Sequence, residues 1–247
     1  MKNSRLALIN KLDEKAEALC QEFVNTGLIS QKLMETIREI YVSAKAETDK
    51  DNERFKVSYH TPITGELEFL IGRIMYYYLF DKAGVKVFVR CQEEKCAPDI
   101  RITKNGENKA IIEIKATGGW IRPFLSKERF NKDTEKFMNG EFKTDPKDFI
   151  REQKEKLTKY QKTFKLKKEK VFFFIPTLGA VHNKNYKSKL PDYYKYFNEV
   201  SGLPKQNLVL LSSELTLGLN NKEVDLKKLS PINNFEKMLS KIQTLCQ

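Results

Sequence analysis

The sequence predicts a mixed α/β domain, and three observations carry that prediction. Apolar residues recur every three to four positions over 4–24, 28–46, 62–81, 146–164 and 232–245, the spacing that places a stripe along one side of a helix. Short β-branched and aromatic runs stand between them: VKVFVR at 85–90, PDIRIT at 98–103, AIIEIKAT at 110–117, VFFFIP at 171–176 and NLVLLS at 207–212. From residue 62 onward the order is helix, three strands, helix, strand, then further helical and strand segments, so the two element types share one layer system.

The first two helices carry Leu6, Ile9, Leu12, Ala16, Leu19 and Phe23, then Leu33, Ile37, Ile40, Tyr41 and Ala44, and break at Asn25-Thr26-Gly27. The polar stretch AETDKDNER at 46–54 reads as a linker, dividing a helical arm (1–54) from a main domain (55–247). A third helix follows Thr61-Pro62 and runs to Asp81 with the stripe Leu67, Leu70, Ile71, Ile74 and Tyr78; Gly84 lies beyond its end. VKVFVR alternates as a strand, and the next two runs form a hairpin about Asn105-Gly106. Residues 117–146 open on Gly118-Gly119, lack a clean period and read as an insertion or long loop, with a short helix expected in KERFNKDTEKFM. Helix 146–164, the buried-type strand VFFFIP, a Tyr- and Lys-rich region, the strand NLVLLS and a closing helix complete the chain.

Forty-five Lys and Arg against 33 Asp and Glu give the 247-residue chain a net charge of +12, which favours a polyanionic partner, nucleic acid ahead of an anionic membrane. Its longest apolar run, VFFFIPTLGAV, is interrupted by Pro176 and falls short of the roughly 20 residues a bilayer requires, so no membrane association is expected. Cys20, Cys91, Cys96 and Cys246 show no CxxC spacing, and with only His60 and His182 beside them a structural zinc is not expected. The charged N-terminus resembles no secretory signal; a cytoplasmic protein with free thiols is expected.

The hairpin holds the chemistry. Asp99 stands at the start of its first strand, while Glu113 and Lys115, two apart on the second, point to one side of the sheet. Two carboxylates with the Ile114 carbonyl between Glu113 and Lys115 are the hard oxygen donors Mg²⁺ takes, and Mn²⁺ is expected to substitute. Lys115 on that face can orient or help deprotonate a water and steady phosphate charge. As a plain surface hairpin, the same charges would be a cross-strand ion pair contributing about 0–1 kcal/mol.

Pro98-Asp99 followed by Glu113-Ile114-Lys115 resembles the PD-(D/E)xK nuclease superfamily, which includes many type II restriction endonucleases. The context is similar too: an acidic helix before the Asp, a hairpin joining the half-motifs, then a helix and a strand. LEFLIGRIMYYYLF (67–80), QKEKLTKY (153–160) and the runs beginning VFFFIP and NLVLLS look like the corresponding parts of type IIS cleavage domains. The similarity spans roughly 60–220, and the segment between Lys115 and Gln153 is longer here than in those domains. The resemblance implies a restriction-endonuclease-like αβββαβ core and Mg²⁺-dependent hydrolysis of double-stranded DNA to 5′-phosphate and 3′-hydroxyl ends. Asp99 and Glu113 would hold the metal together with the Ile114 carbonyl, Lys115 would act on water and phosphate, and Glu68 or Glu66 would assist. Gln153 and Lys154 are expected to contact the DNA backbone. In the insertion, Trp120, Arg122, Lys127 and Arg129 combine an aromatic with the arginines that read guanine, and are the candidates for base contacts. One such site per chain implies a homodimer, or a heterodimer with another nuclease or specificity subunit, for a double-strand cut. The same residues fit a repair or structure-specific nuclease of the superfamily, separable by whether cutting follows sequence or DNA shape, and a non-catalytic DNA-binding or assembly subunit, which would never nick DNA.

Overall fold

The computed structural model describes residues 2–49, 64–116, 122–176, 186–212 and 231–247. Helices α1 (Lys2–Thr26) and α2 (Ser30–Asp49) meet at Gly27, whose φ of 72° is the left-handed turn the expected break requires. Helix α2 continues to Asp49, so the first four residues of the expected linker are helical; the remainder, together with His60 and the Thr61-Pro62 start signal, lies outside the described residues.

Helix α3 (Thr64–Tyr78) precedes strand β1 (Val85–Val89) and the hairpin β2 (Ile100–Lys104) and β3 (Glu107–Ile114). Asn105 and Gly106, with φ of 51° and 82°, place both central residues of the turn in the left-handed region, the conformation matched to the twist of paired strands. A short helix α4 (Arg122–Leu125) precedes the helix expected in KERFNKDTEKFM, which is α5 (Lys127–Met138), capped by Ser126 Oγ accepting from Arg129 N. Helix α6 (Pro146–Thr163), with Asp145 as its N-cap, leads to β4 (Val171–Ile175). The Tyr- and Lys-rich region forms α7 (Tyr186–Ser201), a helix containing Pro191, and β5 (Leu208–Leu210) and α8 (Asn234–Leu245) follow.

The five strands lie in the order β1-β2-β3-β4-β5, antiparallel through β3 and parallel from β3 to β5. Alternation sorts their side chains onto two cores. Ile100, Ile102, Ile112, Phe172, Phe174 and Val209 pack with α1, α2, α3 and α8. Ile111, Val171, Phe173, Ile175, Leu208 and Leu210 face the other way, toward Phe124 of α4, Leu157 and Tyr160 of α6 and Phe197 of α7. β4 is buried along its whole length because both neighbours pair with it and both faces are covered. Among the described residues no helix is long and apolar enough to cross a membrane. Cys20, Cys96 and Cys246 are buried free thiols, and Cys91 is exposed.

A buried carboxylate ties the first two helices to the last. Glu236 on α8 accepts from Ile29 N (2.9 Å), Ser30 N (2.6 Å) and Ser30 Oγ (2.6 Å), satisfying the open N–H groups at the start of α2 from over 200 residues away. Hydrogen bonds to a charged acceptor contribute about 1.5–3 kcal/mol. Glu236→Ala should therefore lower stability by about 2–3 kcal/mol in urea unfolding, and Glu236→Gln, which keeps an acceptor, by less.

Candidate active site

Two packing decisions in the sequence assemble the site. The first is Gly72 in the buried stripe of α3: a Cβ there would collide with Val89 Cγ2, so only glycine lets the helix approach β1 this closely. That approach sets Glu68, one turn earlier on α3, beside Arg90, the residue after Val89. The second is the pleat of β3, which directs Glu113 toward the α6 side of the sheet, in register with Phe173 of β4.

Asp99 adjoins both. Its backbone carbonyl accepts from Arg90 N (3.0 Å), and its Oδ2 accepts from Ile114 N (2.7 Å), so the carboxylate is pinned against the end of β3. Lys115 N donates to Phe174 O (2.9 Å), which fixes the peptide plane carrying the Ile114 carbonyl. Lys115 Nζ donates to Glu113 Oε1 at 2.6 Å, and Glu113 itself is buried.

Helix α6 contributes two groups that sequence reasoning had not placed here. Lys156 Nζ also donates to Glu113 Oε1 (2.5 Å), and Tyr160 Oη, 3.2 Å from Oε2, donates to the remaining oxygen. On the opposite flank Arg90 Nη2 donates to Glu68 Oε1 at 2.8 Å, with Arg90 Nε in ionic contact with Oε2. The signal for Lys156 and Tyr160 was present: with Gln153, Leu157 and Phe164 they share one side of the helix, so that Lys156 and Gln153 stand on the side that Leu157, Tyr160 and Phe164 turn to the core. Arg90 gave no such sign, since it is simply the residue that ends VKVFVR.

Charge and burial set the protonation states. Burial, reinforced by Glu113, pushes the Asp99 carboxyl up to about 7. Burial alone would raise Glu113 also, but the Lys115 and Lys156 ammonium groups outweigh it and hold that carboxyl below its ordinary value. Glu68 goes up because burial exceeds the pull of Arg90, and the Tyr160 phenol is raised by burial and by Glu113. Three carboxylates thus face three cations, and the cations are bonded to Glu68 and Glu113 rather than to Asp99.

Of the expected site residues, Asp99, Glu113, Lys115, Ile114 and Glu68 converge. Glu66 stands half-buried in the first turn of α3, and it is Glu68 that faces the other carboxylates. Gln153 is half-buried one turn before Lys156 on the same side of α6. Lys154 is not with them: two positions from Lys156, it points away, lining with Lys147, Arg151, Thr158 and Lys162 a shallow basic groove of ≈ 700 Å³. Lys127 is exposed at the start of α5 and Arg129 is half-buried beside its N-cap. Arg122 opens α4, and Trp120 and His182 lie outside the described residues. Tyr193 is buried, while Tyr194 and Tyr196 are tied to Asn234 and the Pro123 carbonyl, so these tyrosines pack rather than present a groove.

Among the described residues no three His, Cys, Asp or Glu side chains form a ready-made metal cage. The donor set nevertheless fits a hard divalent ion, which takes one or two carboxylates with waters and substrate oxygens: Asp99 lies beside Glu113, and its Oδ2 is held by Ile114 N rather than by a cation. Comparison with protein-family models, curated proteins and solved structures yields no match.

Proposed function

We propose that this protein is a divalent-cation-dependent DNA endonuclease of the PD-(D/E)xK type, with a restriction-endonuclease-like core, acting as a type II restriction endonuclease or its catalytic subunit. The observation that supports it most is the convergence of Asp99, Glu113 and Lys115 at the end of β3, with the Asp99 carboxylate hydrogen-bonded to Ile114 N and the Lys115 ammonium to Glu113. Asp99, Glu113 and the Ile114 carbonyl would hold Mg²⁺, or Mn²⁺ in its place, with Glu68 in support. The ion supplies Lewis-acid stabilisation of the charge developing on the phosphoryl oxygens and on the leaving 3′-oxygen.

The chain's own groups do the rest. Lys115, anchored on Glu113, positions the attacking water and donates to a non-bridging phosphate oxygen. Lys156 shares the negative charge on Glu113 Oε1, leaving Lys115 freer to turn toward substrate. Tyr160 locks the other oxygen and so the rotamer of Glu113. Gln153, on the same side of α6, would meet the strand being cut. Water attacks phosphorus, the P–O3′ bond breaks, and the products are a 5′-phosphate and a 3′-hydroxyl. With one such cluster per chain, a double-strand cut takes a homodimer or a second nuclease subunit, and cytoplasmic DNA entering the cell is the fitting substrate.

Incubation of purified protein with supercoiled and linear phage DNA tests this. Mg²⁺ should give discrete fragments, or nicks if a partner subunit is missing, and EDTA or Lys115→Ala should eliminate them. Intact DNA with wild-type protein under every metal and partner condition would end the nuclease reading. Cleavage that follows hairpins, flaps or junctions rather than a base sequence would reassign it to DNA repair.

A further inference from the structure

Three cations lean over the carboxylates from three separate elements, and Arg90 differs from the other two. The Glu68 side chain is 1% exposed, yet the Arg90 side chain that neutralises it is 59% exposed, against 24% for Lys115 and 37% for Lys156. Its grip is two-pronged and reaches inward from solvent: Nη2 donates to Glu68 Oε1, and Nε stands in ionic contact with Oε2. The backbone of Arg90 is held at φ 51°, a left-handed conformation that a side-chain-bearing residue adopts at a cost of about 1 kcal/mol or more. Two contacts maintain it, the hydrogen bond from Arg90 N to Asp99 O and the tight seat of Val89 on Gly72. A strained, doubly anchored backbone thus aims a largely solvated guanidinium at one buried carboxylate.

We propose that Arg90 is an exchangeable counter-ion: it neutralises Glu68 while the carboxylate cluster lacks a divalent cation, yields it when the cation enters, and then presents its guanidinium to a phosphate of the DNA. The inference rests on the nuclease reading of the same site. A cation and a guanidinium compete for the same negative charge, so each weakens the other's hold. A guanidinium matches a phosphate with paired N–H donors, and the outward part of this one already stands in solvent, where an incoming phosphate arrives. Arg90 is a positioning residue for the carboxylates in the empty site and a substrate contact in the loaded one.

Calorimetric titration of Mn²⁺ into metal-free protein, without DNA, separates this role from a merely structural one. Arg90→Gln should tighten Mn²⁺ binding about ten-fold by removing the competitor, and Arg90→Lys should stay near wild type. Were Arg90 only a brace that orients Glu68, the glutamine variant would bind Mn²⁺ more weakly, and that result, or an unchanged affinity, overturns the proposal. Thermal melts provide a second readout should the variant fold poorly: Arg90→Gln should melt below wild type in EDTA, with the gap closing in saturating Mn²⁺, and a gap of constant size overturns it. In a Lys115→Ala background with Ca²⁺, Arg90→Gln should weaken binding to duplex DNA several-fold; undiminished binding overturns the phosphate contact. Mn²⁺ bound normally but without the expected shift sinks only this inference, whereas wild-type protein that binds no divalent ion sinks the nuclease reading with it.

Discussion

Replacing Asp99 by Asn should abolish DNA cleavage and at the same time make the metal-free protein more stable above neutral pH. On the proposed function, the loss follows from removing a carboxylate that would balance a divalent ion and developing phosphoryl charge, and is expected to reach ~10³-fold or more. The gain follows from linkage. The Asp99 carboxyl titrates near 7 in the folded chain, raised from 3.8, so between those values the folded state binds more protons than the unfolded one. Stability therefore falls as pH rises from about 4 to about 7 and stays low above it. Asn keeps an oxygen for the hydrogen bond from Ile114 N and carries no charge, so the variant escapes this loss. Melting curves in EDTA from about pH 5.5 to about pH 8.5 should show wild-type Tm declining toward alkaline pH and the Asp99→Asn variant holding steady. At about 2–4 °C per kcal/mol for a chain of this size the crossover is measurable. Saturating Mn²⁺ should restore wild type alone. A variant less stable than wild type at about pH 8 in EDTA would show that burial and the neighbouring Glu113 do not raise the Asp99 carboxyl as the geometry requires.

Parts of this site were legible because they depend on local periods. Glu113 and Lys115 share a face by the two-residue repeat of a strand, Asn105-Gly106 announces its own turn, and the unbroken apolarity of VFFFI marks a strand covered on both sides. The level of Asp99 was not legible from the turn: the register shifts between Ile102 and Thr103, so that Ile100 pairs with Ile112, one residue beyond the count from Asn105-Gly106. What else stayed hidden depends on approach between elements distant in the chain. Arg90 meets Glu68 across 22 residues and Tyr160 meets Glu113 across 47, and no periodic signal records either meeting. Helix α7 was obscured for a different reason: Pro191 and the clustered tyrosines mask a stripe of Tyr193, Phe197 and Val200 that the core buries. In the insertion, the double glycine and dense charge of 117–146 concealed α4, whose Phe124 is fully buried.

That buried phenylalanine leads to the largest expected effect on stability. Phe173 of β4 lies in register with Glu113 and packs its ring against Phe124 (centroids 6.0 Å apart) and Phe197 (5.9 Å), joining the central strand, α4 and α7 in one aromatic cluster. Truncating a fully buried phenylalanine removes its transfer free energy and leaves a cavity that the surrounding strands cannot close, typically about 3–5 kcal/mol. Phe173→Ala should cost that much in urea unfolding, while Phe173→Leu, which fills most of the space, should cost appreciably less. The activity of the alanine variant distinguishes scaffold from chemistry. At a temperature where it remains folded, Glu113 keeps its bonds to Lys115, Lys156 and Tyr160, because none of these comes from the aromatic cluster. Cleavage should then fall far less than in Asp99→Asn, even though only the alanine variant is strongly destabilised. If folded Phe173→Ala protein lost activity as completely as Asp99→Asn, the rotamer of Glu113 would have to depend on the packing beneath the strand rather than on its three hydrogen-bond donors.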